Sequence, residues 1–211
     1  MISRTLPFSG KLSIQVKRAT GPGFMWHLRN RLRRGYLWGW FVVQLARLFS
    51  KLTGVVTITS QLSIRLRKVT GEWIDYGVVG YRVITDTGVG FIVDAWQNSV
   101  EIEIMKYHGC GTGVGAEAAA NTALGTECTT ALNPDSTRAT GTLAEGASAN
   151  IFSSVGTLTF DASAAVTEHG LLSQAATGGG VLWDRTVFSA VNVASGDQIQ
   201  FTYQATLTSG G

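Results

Sequence analysis

The chain has 211 residues, of which 45% are hydrophobic and 15% are charged, so it can bury the core of at least one domain. This hydrophobic content excludes an intrinsically disordered chain. There are 26 glycines but only 3 prolines. The abundance of glycine, serine, threonine and alanine in the second half is typical of short β-strands joined by tight turns.

Charge is distributed very unevenly along the sequence. Residues 1–71 contain 13 lysines and arginines and no acidic residue, whereas residues 72–211 contain 4 basic and 14 acidic residues. The two parts therefore carry net charges of +13 and −10. This asymmetry predicts a cationic arm, residues 1–54, attached to a β-rich body, residues 55–211. Nucleic acid, anionic lipid and an acidic protein surface, including the body of a neighbouring copy, are the candidate targets of the arm.

The first predicted elements are a strand and a helix. Residues 10–20 alternate apolar and polar side chains, as in a half-buried strand, and residues 61–71 repeat this pattern at an offset of 50. Between them, Phe24–Leu52 is predicted to be one amphipathic helix. The residues of this helix that we expect to make intermolecular contacts are Arg29, Arg31, Arg33, Arg34, Trp38, Trp40, Phe41 and Arg47.

Three kinds of partner suit a helix that is both basic and aromatic. Its apolar run is too short to span a bilayer, which takes about 20 apolar residues. Arginine beside tryptophan suits a helix lying in the membrane interface, and it also suits stacking on single-stranded nucleic acid. The additional apolar residues Leu37, Val42 and Leu45 favour a protein partner. We therefore expect binding to protein, with membrane contact through residues 24–52 and nucleic-acid binding as disfavoured alternatives.

The body is predicted to be built mainly of strands. A strand covers residues 78–83, and Thr85 is the expected N-cap of a short helix. Alternation predicts a strand over Val100–Tyr107, and a short helix or helical turn is predicted over Ala116–Leu124. The apolar face of the first short helix is formed by Val89, Ile92, Val93 and Trp96.

Five antiparallel strands are predicted to complete the body, separated by glycine and serine turns. They are Arg138–Leu143, Asn150–Asp161, Ala165–Ser173, Val181–Phe188 and Gln198–Leu207. The fold class is thus predicted to be mainly β: an antiparallel β-sandwich or jelly roll with an N-terminal basic arm containing one amphipathic helix.

No pattern in the sequence predicts catalysis, a cofactor or a metal ion, so the chain is not expected to be an enzyme. Gly109–Gly115 superficially resembles a phosphate-binding turn, but its G-x-G-x-G-x-G spacing differs from G-x-G-x-x-G. No G-x-S-x-G elbow exposes a serine, and His169 beside Glu168 is expected to form a charge pair at the sheet surface. Cys110 and Cys128 lack the ligand spacing of a zinc site and follow no secretory signal, so we expect reduced, buried thiols.

Several segments of the body resemble a family of tailed-bacteriophage structural proteins. The resemblance covers about residues 60–211 and is carried by Thr70–Trp73, Lys106–Gly109, Thr122–Glu127, Thr167–Leu172, Trp183–Phe188 and Ser195–Phe201. It implies a virion protein, assembled in the host cytoplasm, with other virion proteins as its partners. We expect an oligomeric capsid decoration or cement protein. The alternatives are a neck, tail or fibre-attachment subunit and, from another class, a cationic membrane- or nucleic-acid-binding protein.

The arm departs from that family, and its composition predicts a role in assembly. A segment with many positive charges and no negative ones repels itself. It also carries apolar surface around Trp38 and Trp40 that a monomer would not leave exposed. We therefore expect the arm to reach away from its own sandwich onto a neighbour, with the repeated strands at Leu12 and Leu62 on sheet edges.

Overall fold

The computed structural model describes residues 22–32 and 34–210 and is mainly β, with two antiparallel sheets, as predicted. The predicted strand at residues 10–20 lies outside the described residues. In the described part of the chain, the helices are α1 (Phe24–Leu32), α2 (Arg34–Thr53) and α3 (Asp86–Trp96), with a single 3-10 turn at Ile102–Ile104. The strands are β1 (Thr57–Arg67), β2 (Trp73–Ile84), β3 (Tyr107–Gly111), β4 (Ala139–Thr140), β5 (Thr142–Glu145), β6 (Ile151–Thr159), β7 (Ala164–Leu172), β8 (Leu182–Val193) and β9 (Gln198–Thr208).

The two sheets are connected at both sides by strands that cross between them. The strand order is β4-β3-β7-β8-β2-β1-β9-β6-β5. Residues 73–82 of β2 pair with β1, and Val83 and Ile84 then pair with β8. On the other side, only Gly141 separates β4, which pairs with β3, from β5, which pairs with β6. A Cβ atom at position 141 would lie 2.7 Å from the carbonyl oxygen of Lys106, so the crossing requires glycine.

Alternating apolar side chains of β1 and β9 form the centre of the core. In β1, Leu62, Ile64 and Leu66 are at most 1% exposed, and β1 pairs with β9 along its whole length. Every second residue of β9 from Ile199 to Ala205 is also buried, as its alternation predicts. Because β1 lies between β2 and β9, the expectation that the strand around Leu62 occupies a sheet edge is wrong.

One predicted strand of the body is wrong, and the segment predicted as a short helix or helical turn forms a turn only. Residues 100–107 contain a 3-10 turn, in which the N–H of Met105 donates to the carbonyl oxygen of Ile102, and β3 begins only at Tyr107. Residues 116–124 make turns rather than a helix. There the N–H of Ala118 donates to the side-chain oxygen of Asn121 at 2.8 Å, and this local bond competes with helix formation.

The described part of the arm packs on its own body. Residues 24–32 and 34–53 are helical within the segment predicted as one helix, and residue 33 between them lies outside the described residues. Helix α2 lies against β1 and β2, and α1 contacts β8. The expectation that the arm reaches away from its own sandwich therefore does not hold for these helices. The remaining arm residues, 1–21, lie outside the described residues.

Candidate functional site

Helix α1 fills the gap that opens where β2 leaves β8. The side chain of Asn30 is buried in this gap, where it donates to the carbonyl oxygen of Val79 at 2.9 Å and accepts from the N–H of Ser189 at 3.0 Å. Trp26 donates from Nε1 to the carbonyl oxygen of Ala190 at 2.9 Å. These bonds satisfy strand backbone groups at a point where β2 and β8 do not pair with each other. They hold α1 to its own sheet.

Helix α2 packs on the sheet through a narrow inward face. Gly39 allows a close approach, since a Cβ atom there would lie only 2.5 Å from the carbonyl oxygen of Tyr81. Val43 and Ser50 follow on the same face and are buried, and the Ser50 hydroxyl is 2.6 Å from that of Thr57. The spacing of these residues places them on one side of the helix. That side is therefore already occupied by contacts within the chain.

The opposite side of α2 is apolar and exposed. Leu37, Phe41, Leu45, Leu48 and Leu52 recur every three or four residues, which places them on one side of the helix. Their exposed fractions range from 46% at Phe41 to 75% at Leu52. A helix that is apolar on both sides is normally covered on both, and an uncovered apolar patch marks an interaction site. The α2 surface comprises these five residues together with Trp38, Val42 and Phe49, which are also exposed.

Two of the three aromatic residues predicted to make contacts belong to this surface. Trp38 and Phe41 belong to it, and their ring centroids are 5.9 Å apart. Trp40 is exposed as well, with 47% of its surface accessible. The structure thus places all three of these side chains where a partner could reach them.

The predicted arginines lie in different surroundings. Arg29 and Arg31 are exposed on α1, whereas Arg47 is half-buried on α2. Burial raises the pKa of Tyr81, and the positive charges of Arg47 and Arg31 lie close enough to oppose that rise. Of the remaining two arginines, Arg34 is the first residue of α2 and Arg33 lies outside the described residues.

Helix α3 begins at the predicted N-cap. The side of α3 that packs against the body is not its most apolar side. Thr85 accepts a hydrogen bond from the N–H of Gly88 at 3.0 Å. Gly88 lies against the backbone of Trp183, since a Cβ atom there would be 2.6 Å from its carbonyl oxygen, and Phe91 is buried nearby. The residues of the predicted apolar face that are left exposed are Val89, Val93 and Trp96.

An apolar pocket of about 320 Å³ opens beside α3. Ten of the eleven described residues that line it are apolar, and they come from both sheets, α3 and the segment around the 3-10 turn. Trp96 and Ile102, which are 81% and 55% exposed, mark its opening to solvent. Open apolar pockets of this size can accept a ligand or an anchoring side chain.

An acidic residue takes part in this pocket. Glu103 belongs to its lining, and Glu101 is exposed two residues before it in the sequence. Residues 83–105 contain four acidic residues and no lysine or arginine. The α3 surface comprises the pocket, the exposed apolar residues Val89, Val93, Trp96 and Ile102, and the acidic residues Glu101 and Glu103.

The glycine-rich segment after β3 binds an anion that belongs to the chain itself. The Glu168 carboxylate accepts N–H groups from Gly113, Gly125 and Thr126 at 3.0, 2.9 and 2.7 Å. Arg185 donates to it from Nη2 at 2.7 Å and from Nε at 2.9 Å. Burial alone would raise the pKa of Glu168, but these backbone donors and Arg185 together lower it.

This arrangement corrects two readings of the sequence. The G-x-G-x-G-x-G spacing argued against an anion-binding turn, but Gly113 after β3 donates its N–H to the Glu168 carboxylate much as such a turn would bind a ligand. The ion-pair partner of Glu168 is Arg185, so the expected charge pair with His169 at the sheet surface is wrong. Both Glu168 and His169 are fully buried.

His108, His169 and Ser154 form a buried polar cluster between the sheets. Nδ1 of His108 lies 2.9 Å from Nε2 of His169, and its Nε2 lies 2.9 Å from the hydroxyl oxygen of Ser154. Burial lowers the pKa of His108 to about 3 and lowers that of His169 well below its ordinary value. Both rings are therefore neutral near pH 7. Because Ser154 is 0% exposed, this serine–histidine contact is closed to a substrate.

Comparison with known proteins assigns the chain to no family. A scan against protein-family models finds no match, and neither does a search of curated proteins. Among the described helices, none is long and apolar enough to cross a membrane. The described residues contain no group of three or more histidine, cysteine or acidic side chains placed to hold a metal ion. Both cysteines, Cys110 and Cys128, are free and buried.

Proposed function

We propose that the chain is a non-catalytic structural subunit of a tailed-phage virion that binds neighbouring subunits through the α2 surface. The observation that carries this function is the exposure of one apolar side of α2 while Gly39, Val43 and Ser50 hold the other side to the sheet. Burying a leucine or phenylalanine side chain contributes about 1.5–3 kcal/mol, so covering several of them can hold two subunits together. The resemblance of residues 60–211 to phage structural proteins supports a place in a virion.

Within this proposal, the chain is an oligomeric capsid decoration or cement protein, and residues 1–54 are its interaction arm on a jelly-roll-type body. A neck, tail or fibre-attachment subunit is the alternative. The copy number of the chain relative to the major capsid protein in purified particles distinguishes the two. Hundreds of copies per particle indicate decoration, whereas a few dozen or fewer indicate the neck, tail or fibre.

A second candidate function is binding at a membrane interface. It is favoured by the exposure of Trp38 and Trp40 in a segment, residues 22–56, that contains basic residues and no acidic ones. Tryptophan and arginine together suit the headgroup layer of a bilayer. The apolar α2 surface would then lie among acyl chains rather than against a protein.

The test is a double substitution in the α2 surface, Phe41→Glu with Leu45→Glu, in particles assembled with the variant as their only source of this chain. Gln44→Glu is the matched control, because Gln44 is exposed on the same helix but polar. We expect the double variant to fall at least about tenfold in copies per particle, since charge replaces buried apolar contact, while the control stays at the wild-type level. Wild-type incorporation of the double variant would refute the assembly role.

Vesicle sedimentation separates the membrane candidate from the assembly role. Wild-type protein and the Phe41→Glu, Leu45→Glu variant are mixed with vesicles containing anionic lipid. The assembly role predicts little sedimentation of either protein. Strong wild-type binding that the variant loses, together with normal incorporation of the variant into particles, would establish the membrane function instead.

A further inference from the structure

We infer that the partner of the α2 surface is a second copy of this chain, bound through its α3 surface. The chain would then associate head to tail, with each copy offering the α2 surface to one neighbour and the α3 surface to another. This inference rests on the proposed function of the α2 surface as an assembly contact. It adds the identity of the partner and the region of that partner that is bound.

Both surfaces are exposed in the described part of a single copy. On α2, Leu48 and Leu52 are 53% and 75% exposed, and on the α3 surface Trp96 and Ile102 are 81% and 55% exposed. Neither surface is therefore covered by the other within one molecule. Contact between two copies would remove apolar area from water on both sides at once.

The shapes of the two surfaces are compatible. The α2 surface projects large side chains, including Trp38 and Phe41, from a helix. The α3 surface contains an open apolar pocket of about 320 Å³, lined in part by Met105, Phe152 and Trp183. An aromatic side chain seated in an apolar pocket is the usual centre of a strong protein interface. One copy thus carries an anchor and the next copy carries a receptor for it.

Opposite charges select this pairing over the others. Residues 22–56 contain six lysines and arginines and no acidic residue, whereas the two charged residues of the α3 surface, Glu101 and Glu103, are both acidic and exposed. Two copies that met through their basic helical segments would repel each other, and so would two copies that met through Glu101 and Glu103. An α2 surface facing an α3 surface attracts, which favours encounter in this orientation and disfavours the like-with-like dimers.

Charge exchange in the full-length chain tests the pairing. The first variant combines Arg29→Glu with Lys51→Glu, and the second combines Glu101→Lys with Glu103→Lys; all four positions are exposed. Association is measured by sedimentation velocity over a range of protein concentrations at low and high ionic strength. We expect the wild type to self-associate more weakly at high salt, and each variant alone to lose at least about tenfold in affinity.

Mixing the two variants is the decisive measurement. In an equimolar mixture, the reversed α3 surface of one variant faces the reversed α2 surface of the other, and the two unmodified surfaces also match. Self-association should therefore return to the wild-type level, which also shows that both variants are folded. The matched control, Asp135→Lys with Asp161→Lys, reverses two exposed acids outside the α3 surface and should retain self-association.

Three results would overturn the inference: a wild-type chain that remains monomeric, a single variant that associates as well as wild type, or a mixture that fails to recover. Each of these can occur while Phe41→Glu with Leu45→Glu still abolishes incorporation into particles. In that case the α2 surface binds a different virion protein, and the proposed function stands without the head-to-tail contact. A wild-type chain that does not self-associate, together with a Phe41→Glu, Leu45→Glu variant that incorporates normally, would refute both the head-to-tail contact and the proposed function.

Discussion

The buried histidine pair makes the stability of the fold sensitive to mild acid. His108 and His169 are each 0% exposed, and the two rings contact each other through Nδ1 and Nε2 at 2.9 Å. The Nδ1 atom of His169 has no hydrogen-bond partner among the described residues. A proton added to either ring would place a positive charge in the core, and the other ring of the pair could not act as its counter-ion. Acidification should therefore unfold the protein before most carboxylates titrate.

The direction and size of the effect follow from the pKa of His108, which burial lowers from 6.5 to about 3. The unfolded chain binds a proton at this histidine near pH 6.5, whereas the folded chain does not. Stability from the neutral ring is therefore complete above that pH and is lost as the pH falls towards the folded-state pKa. Between pH 7 and pH 5 the loss from His108 alone amounts to about 2 kcal/mol. His169 contributes in the same direction, because burial and the neighbouring His108 also lower its pKa.

Urea unfolding at several pH values between 7 and 5 measures this loss. We expect His108→Gln to flatten the pH dependence by about 2 kcal/mol over this interval, because it removes one titrating group. Ser154→Ala is the control, since it removes a hydrogen-bond partner of His108 but no titrating group. The control should lower stability by about 1–3 kcal/mol and largely keep the wild-type pH dependence. An unchanged pH dependence in His108→Gln would refute the role of this buried ring.

Two further substitutions test contacts that shape the fold. Glu168→Gln should lower the free energy of unfolding in urea by about 3–5 kcal/mol, because it leaves buried Arg185 without its counter-ion. Glu145→Gln, at an exposed position, should lower it by less than about 0.5 kcal/mol. Equal effects of the two substitutions would contradict the ion pair. Gly39→Ala should lower the free energy of unfolding by about 1–3 kcal/mol, because the new methyl group would clash with the carbonyl oxygen of a strand residue. Gly90→Ala in α3 places its methyl group where no atom lies within 4 Å, so it should raise the free energy of unfolding by about 0.5–1 kcal/mol. Unfolding midpoints in the opposite order would show that α2 does not pack as described.

The sheet elements could be predicted because their side chains follow a simple period. Alternation in β9 is complete from Gln198 to Ala205, and it correctly indicates which residues enter the core. The cap at Thr85 was equally predictable, since a threonine before an apolar segment can accept an N–H of the first helical turn. Both signals depend only on neighbouring residues. They do not require knowledge of what packs against the element.

Alternation failed where local hydrogen bonds opposed it. Residues 100–107 alternate as well as β9 does, but the N–H of Lys106 donates to the carbonyl oxygen of Ile104, and the segment turns. Periodicity reports which side chains could share a face, but it does not report which backbone groups find a partner strand. The segment 116–124 forms a turn and no longer helix for a related reason, because Asn121 satisfies the backbone locally.

Long-range contacts explain what the sequence could not predict about the candidate site. Asn30 looks like one polar residue in a basic helix, yet it bonds to Val79 and Ser189, which are 49 and 159 residues away. The exposed side of α3 is likewise determined by Gly88, whose lack of a side chain lets that face lie against Trp183. The most apolar face of α3 then points outward. Neither outcome leaves a periodic signal in the sequence.

A head-to-tail contact closes into a ring or extends into an open chain according to the angle between its two surfaces. In this protein each surface is attached to the sandwich by a glycine that brings a helix against a strand backbone. Gly39 places α2 on Tyr81 of β2, and Gly88 places α3 on Trp183 of β8. Strand β2 pairs with both β1 and β8, so the two helices pack on neighbouring strands. Under the proposed head-to-tail contact, a substitution at Gly39 or Gly88 that shifts its helix would therefore change the angle between the two surfaces, and with it the geometry of the assembly as well as its affinity.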